Sequence, residues 1–325
     1  MRRRHFLVAS AAAALVVGLA PARAQDYPAR TIRIVVAFPP GGPTDFVARL
    51  LADKMKVLLG QSVIIENKPG ANAAIGADYV AKSEGDGYTL FFTTSGAVAV
   101  NPHMRSDLPY DPVRDFAPVS QIVNTMEVLV VKADSPVKSA ADLIALAKSS
   151  PKGIAMASTG VGSPPHLALE LMKGATGATI LHVPYRGAAQ AVTDVIGGQV
   201  VAMFADLPVL IPQIRGGTLR AIGVGSRTRA PVLPDVPTLD EQGIPGVYAN
   251  NWYALFAPAK TPAAVIAKLN AAIVAALNDP EVARKLIDVG AVPATSTPAE
   301  LAEFLKSELA RWGKVVRDNN IKPEG

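Results

Sequence analysis

Apolar residues fall in short, near-continuous runs separated by stretches of helical spacing along almost the whole chain. The runs 31–38, 62–66, 88–93, 127–132, 153–157, 179–183, 200–205, 219–224 and 252–257 read as strands. Helical patterns fit between them at 45–59, 71–81, 139–149, 164–173, 188–197 and 207–216, and the C-terminal part adds 262–278, 280–289 and 297–319. Strands that are apolar throughout, alternating with helices, predict an α/β fold of mostly parallel sheets flanked by helices. The design also repeats. A glycine-rich turn follows the first strand at Pro39–Pro43, and another follows the strand 153–157 at Ser158–Ser163. Two α/β lobes facing a cleft are therefore expected: residues 25–126, then 127–250, then a mainly helical return of 251–325 to the first lobe. The crossings are placed near 124–132 and 250–257.

Residues 1–24 are set apart from this fold. Arg2, Arg3 and Arg4 precede an apolar stretch, 7–20, and Ala22-Arg23-Ala24 follows as a small-residue cleavage site. A Sec signal rich in arginine and a twin-arginine signal both fit Arg3-Arg4-His5-Phe6-Leu7. Removing Arg2, Arg3, Arg4 and Arg23 lowers the 32 Lys plus Arg to 28 against 27 acids, so the net charge falls from +5 to about +1. No dense basic patch remains, which argues against nucleic acid as a partner. With no cysteine in the chain, disulfides and thiolate chemistry are excluded.

The stretch Phe38-Pro39-Pro40-Gly41-Gly42-Pro43-Thr44-Asp45 runs from a strand into a helix. Gly41 and Gly42 allow close backbone approach, and the unpaired N–H groups of a helix start favour an anion there. Ser158, Thr159, Gly160, Gly162 and Ser163 repeat this logic, with His166 in the first helical turn behind them. Thr94, Ser95, Gly96 and Ala97 form a hydroxyl-rich strand end, Tyr185, Arg186 and Gly187 another strand end, and Ala205-Asp206 a third. In open α/β sheets ligands gather outside such ends. Two readings stand for Asp45: a first-turn cap for the helix, or an acceptor for a ligand ammonium. Arg186 either grips a carboxylate bidentately or pairs with a surface acid.

Catalytic and metal constellations are missing from the sequence. His103, in an apparent Asn101-Pro102-His103 loop, His166 and His182 have no metal-ligand spacing, and no nucleophile elbow or phosphate loop is present. A hydrolase using Ser158 or Ser95 would lack any base at motif spacing. No catalytic residue, metal or cofactor is expected.

Tyr27-Pro28 leading into Ile32-Arg33-Ile34-Val35-Val36, the Phe38–Asp45 turn with Ala48-Arg49, and Glu66-Asn67-Lys68-Pro69-Gly70-Ala71 carry a further signal. Gly85-Asp86-Gly87-Tyr88-Thr89-Leu90, Val183-Pro184-Tyr185-Arg186-Gly187 and Trp252-Tyr253-Ala254-Leu255-Phe256-Ala257-Pro258 continue it. Taken in this order, the chain resembles the Bug family, the solute receptors of tripartite tricarboxylate transporters. The resemblance implies a non-enzymatic periplasmic binding protein, a monomer of "Venus flytrap" type II-like form. It implies a small carboxylated ligand (a di- or tricarboxylate, an amino acid or an aromatic acid) and the transporter's membrane subunits as partner. A ligand-sensing receptor for a membrane signalling protein is the alternative output of the same fold. The ligand carboxylate would be held by backbone N–H groups of the two glycine turns, with Thr94 to Ala97, Tyr185 to Gly187 and Ala205-Asp206 around the rest.

Overall fold

The computed structural model describes residues 27–321, so the expected export signal lies outside the described residues. The chain opens with β1 (Ile32–Val36), α1 (Pro43–Leu59), β2 (Val63–Asn67), α2 (Ala74–Ala81) and β3 (Thr89–Thr94). A π-helical turn, Gly96–Val100, runs into the short α3 (Asn101–Met104), and β4 (Phe116–Thr125) follows. Next come β5 (Glu127–Lys132), α4 (Ala140–Ser149), β6 (Ile154–Ser158), α5 (Pro164–Thr176), β7 (Ile180–Pro184), α6 (Ala188–Ile196), β8 (Ala202–Asp206), α7 (Leu207–Arg215) and β9 (Leu219–Val224). The last segment holds β10 (Asn251–Pro258), α8 (Ala263–Leu277), α9 (Pro280–Ile287), the two-residue β11 (Val292–Pro293) and α10 (Pro298–Asp318).

These strands form two mixed sheets, ordered β11-β4-β10-β3-β1-β2 and β7-β6-β8-β5-β9. In the first, β1 pairs parallel with β2 and β3, while β10 lies antiparallel between β3 and β4. In the second, β6 pairs parallel with β7 and β8, while β5 lies antiparallel between β8 and β9. Apart from β11, one strand in each sheet therefore runs against the rest. That strand is the first one the chain lays down after changing sheets. Met126 alone separates β4 of one sheet from β5 of the other, and residues 225–250 lead back to β10.

Burial follows the apolar pattern. Ile32, Ile34, Val35 and Val36 of β1 are sealed on both faces, as a strand covered by helices requires. One cluster joins β1, β3 and β10 to α1, α8 and α9 through residues such as Leu51, Met55, Phe92, Leu269 and Ile273. The returning α10 is anchored by the buried Glu308, which accepts hydrogen bonds from Trp252 Nε1 at 2.9 Å and Trp312 Nε1 at 3.1 Å.

Four sequence expectations change. β4 was not anticipated, because Pro118, Ser120, Gln121 and Asn124 interrupt its apolar run; register shifts where it pairs with β10 absorb the irregularity. The segment from Gly96 is a helical turn rather than only a strand end. His103 lies within α3 and not in a loop. The helix expected from residue 71 starts at Ala74, because Ala71, Asn72 and Ala73 adopt positive φ and make a turn.

Gly76 of α2 faces the end of β1. A Cβ there would lie 2.8 Å from Ala37 Cβ and 3.0 Å from the Lys68 carbonyl oxygen. Gly→Ala inside a helix ordinarily gains about 1 kcal/mol. Gly76→Ala should instead lose about 1–3 kcal/mol by overpacking, read as a lower Tm; a higher Tm would show that α2 can move away from Ala37.

Candidate functional site

The first glycine turn is held by its own acid. Gly41 sits at φ 79°, and Asp45 in the first turn of α1 reaches back to accept its N–H at 3.0 Å. Arg49 donates to both Asp45 oxygens at 2.8 and 2.9 Å, and Asn67 Nδ2 donates to Asp45 Oδ1 at 2.9 Å and to the Phe38 carbonyl at 3.0 Å. Burial alone would raise the Asp45 pKa, but the hydrogen bonds from Arg49, Gly41 and Asn67 bring it below the ordinary range. Both Asp45 and the Gly41 amide are thus committed to the turn.

The second turn is built on histidines. Ser163 caps α5: its Oγ donates to the Gly160 carbonyl at 2.6 Å and accepts from the His166 amide at 3.3 Å. His166 Nδ1 accepts the Gly162 N–H at 3.1 Å, so that nitrogen carries no proton. The His166 ring stacks on His182 at 4.2 Å, and His182 Nε2 lies 2.6 Å from Ser158 Oγ. Burial, then the neighbouring His182, pushes the His166 pKa down to about 3. Ser158 is fully buried, as is Ser95, whose Oγ donates to Asn251 Oδ1 at 2.8 Å. The two serines considered as nucleophiles are both inside the protein, bonded to their neighbours.

Between the sheets lies a cavity of about 240 Å³. Of the residues singled out in the sequence, Phe38, Pro39, Gly42, Thr44, Thr94, Thr159, Ser163, Gly187 and Asp206 line it. Gly160, Tyr185 and Arg186 instead line an adjoining cleft of about 680 Å³, which also touches Phe38 and Thr159 and carries Arg105 and Asp107. Gly41 faces an outer groove. Gly96, Ala97, Gly162, His166 and Ala205 are buried behind these surfaces. Sequence reasoning missed Asn72, Ala188, Ala189, Gln190 and Asn251. Asn251 opens β10, a legible strand end outside the glycine-rich turns, whereas Asn72 falls in what the sequence presents as a helix start.

Three helices begin at this cavity: α1 with Pro43, α5 with Pro164 and Pro165, and α6 with Ala188, Ala189 and Gln190. Proline in the first turn costs α1 and α5 part of their free N–H set. The start of α6 has no proline, and its cap residue Gly187 has no side chain to satisfy the amides that follow. Those amides are the most available anion donors in the site.

At the strand ends a buried polar group joins the two sheets. Asp206 accepts from Asn251 Nδ2 at 3.0 Å and from the Tyr253 hydroxyl at 2.8 Å, both on β10. On its other side Glu127 is its direct register partner in the β5–β8 ladder. Neither Glu127 oxygen meets an N–H or a hydroxyl, and the residue is fully buried. A proton on Glu127 lets one of its oxygens donate to Asp206 and removes the like-charge contact between the two carboxyls. Burial, then the adjacent Asp206 charge, accordingly holds the Glu127 pKa well above the ordinary range. Among the described residues no group of three or more His, Asp or Glu could hold a metal.

Glu127 keeps its proton in the fold where an unfolded glutamate has lost it. Its contribution to stability is complete below about pH 4.5 and is lost as pH rises toward the folded-state value. Glu127→Gln keeps a donor and removes the charge. Its stability relative to the parent protein, followed through Tm, should therefore rise between pH 5 and pH 8, by up to about 1.4 kcal/mol per pH unit. A difference that does not change with pH would place the proton elsewhere.

Residues 47–321 match the family model described as the tripartite tricarboxylate transporter family receptor. The chain is 40% identical to Protein BugT of Bordetella pertussis over 304 residues, covering 93% of each. Among solved structures, the periplasmic binding protein BugD is 32% identical with a TM-score of 0.87, and the match covers 92% of this chain and all of that one. The R. palustris protein Rpa4515, solved with adipate, is 36% identical with a TM-score of 0.89 over the same shares.

Proposed function

Because the chain belongs to the tripartite tricarboxylate transporter receptor family, we propose that it captures a small carboxylated solute between its two sheets and delivers it to the membrane subunits of such an importer. The observation that carries this reading is the set of uncapped amides at the start of α6, facing a cavity whose lining includes no Lys, Arg or His. The relative solved with adipate supports a carboxylate as the ligand class. Three or four hydrogen bonds to the carboxylate, each contributing about 1.5–3 kcal/mol, can offset its desolvation and leave about 8 kcal/mol, a micromolar Kd. Thr44, Thr94 and Thr159 add neutral hydroxyl donors around the same space.

On this reading residues 25–126 with 251–325 form one lobe and 127–250 the other, acting in the periplasm after export. Closure brings the donors of both lobes onto the solute, which lets a membrane partner distinguish loaded from empty receptor. The two sides meet at Pro39 and Gly187, where a Cβ on Gly187 would lie 3.0 Å from Pro39 Cγ. The role is binding without catalysis.

A thermal-shift screen against dicarboxylates, citrate, amino acids and aromatic acids tests the ligand class. A solute at 100 times its Kd adds about 2.7 kcal/mol to stability, and a panel with no shift after unfolding and refolding would contradict the reading. Gly187 has extended backbone that any residue can adopt. Gly187→Val should thus leave the ligand-free Tm within a few degrees and weaken carboxylate binding about tenfold or more, since it wedges the lobes apart. Unchanged affinity would mean that closure at this contact is not needed.

A further inference from the structure

The cavity between the sheets is lined by one ionisable residue, and that residue is an acid, Asp206. Asp206 is 7% exposed. Its partners are Asn251, which reaches both carboxylate oxygens at 3.2 and 3.0 Å, the Tyr253 hydroxyl at 2.8 Å, and Glu127 across the ladder. Asn251 has nothing further to offer a ligand on its oxygen, which already accepts from Ser95 Oγ and the Trp252 amide. The strand-end wall therefore accepts hydrogen bonds, while the α6 wall donates them. Arg105 and Arg186 line the adjoining larger cleft and not this cavity.

We infer that Asp206 is a specificity-determining residue that accepts a hydrogen bond from a hydroxyl or ammonium on the solute, so that the cavity selects hydroxy- or amino-substituted carboxylates over plain dicarboxylates of the same skeleton. This rests on the carboxylate-receptor reading and adds the solute class. A second carboxylate turned toward Asp206 would meet a like charge in a buried space with no counter-cation, which is costly. A hydroxyl or ammonium there donates to the carboxylate at no such cost. Glu127 acts behind Asp206 as a positioning residue, supplying a donor without adding charge.

Isothermal titration of the purified protein with matched acids tests this: succinate, malate and aspartate; glutarate, 2-hydroxyglutarate and glutamate; adipate and 2-aminoadipate. A donor-bearing member should bind about tenfold or more tighter than the plain acid of its set, the worth of one charge-assisted hydrogen bond. Asp206→Asn should shrink that ratio toward unity, whereas Glu127→Gln, which keeps the donor to Asp206, should preserve it. The comparison within the parent protein decides the matter even if Asp206→Asn fails to fold. Plain acids binding as tightly as their substituted partners would overturn the inference and leave the carboxylate reading standing. No binding by any acid would overturn both.

Discussion

Asp206 ends β8 at the point where the chain's two sheets meet, and its carboxylate is the junction between them. Asn251 and Tyr253 reach it from the first sheet, and Glu127 faces it across a ladder of the second. A buried carboxylate is tolerated only when donors surround it. That requirement fixes the relative placement of β5, β8 and β10, two of which, β5 and β10, are the strands that follow the chain crossings. The cavity opens directly above this group, so the same constraint that joins the sheets also sets the polarity of one wall of the site.

The opposite wall follows from how turns are stiffened without covering their amides. Asp45 and Arg49 lock the first glycine turn, and the stacked pair His166 and His182 locks the second. These titratable groups face one another or the turn backbone, and helix starts and threonines make up much of the cavity lining. Neutral donors hold a charge without the desolvation cost of a buried counter-ion. Under the proposed function such a design would fix a carboxylate firmly and leave the remainder of the solute to the few side chains at the strand ends.

Much of this was legible in the chain. Near-continuous apolar strands such as Ile32–Val36 and Leu129–Val131 announced buried sheets, and residues of the glycine turns after β1 and β6 line the cavity. What sequence could not supply was pairing. Asp45 reads equally well as cap or ligand contact until Arg49, Asn67 and the Gly41 amide are seen to occupy it. Glu127 looks like an ordinary strand-edge acid, and only its register opposite Asp206 reveals a carboxyl that must stay protonated. Asn72 was hidden for a local reason: three consecutive positive φ values turn an apparent helix start into a loop that reaches the cavity. β4 was obscured by Pro118 and three polar residues that an antiparallel neighbour with register shifts can accommodate.

A crystal structure with a saturating carboxylate would test the central claim most directly. The account predicts a carboxylate against the amides of Ala188, Ala189 and Gln190, in the cavity between the sheets, with no Lys, Arg or His in contact with it. A carboxylate seated instead on Arg105 or Arg186 in the larger cleft would contradict recognition by neutral donors.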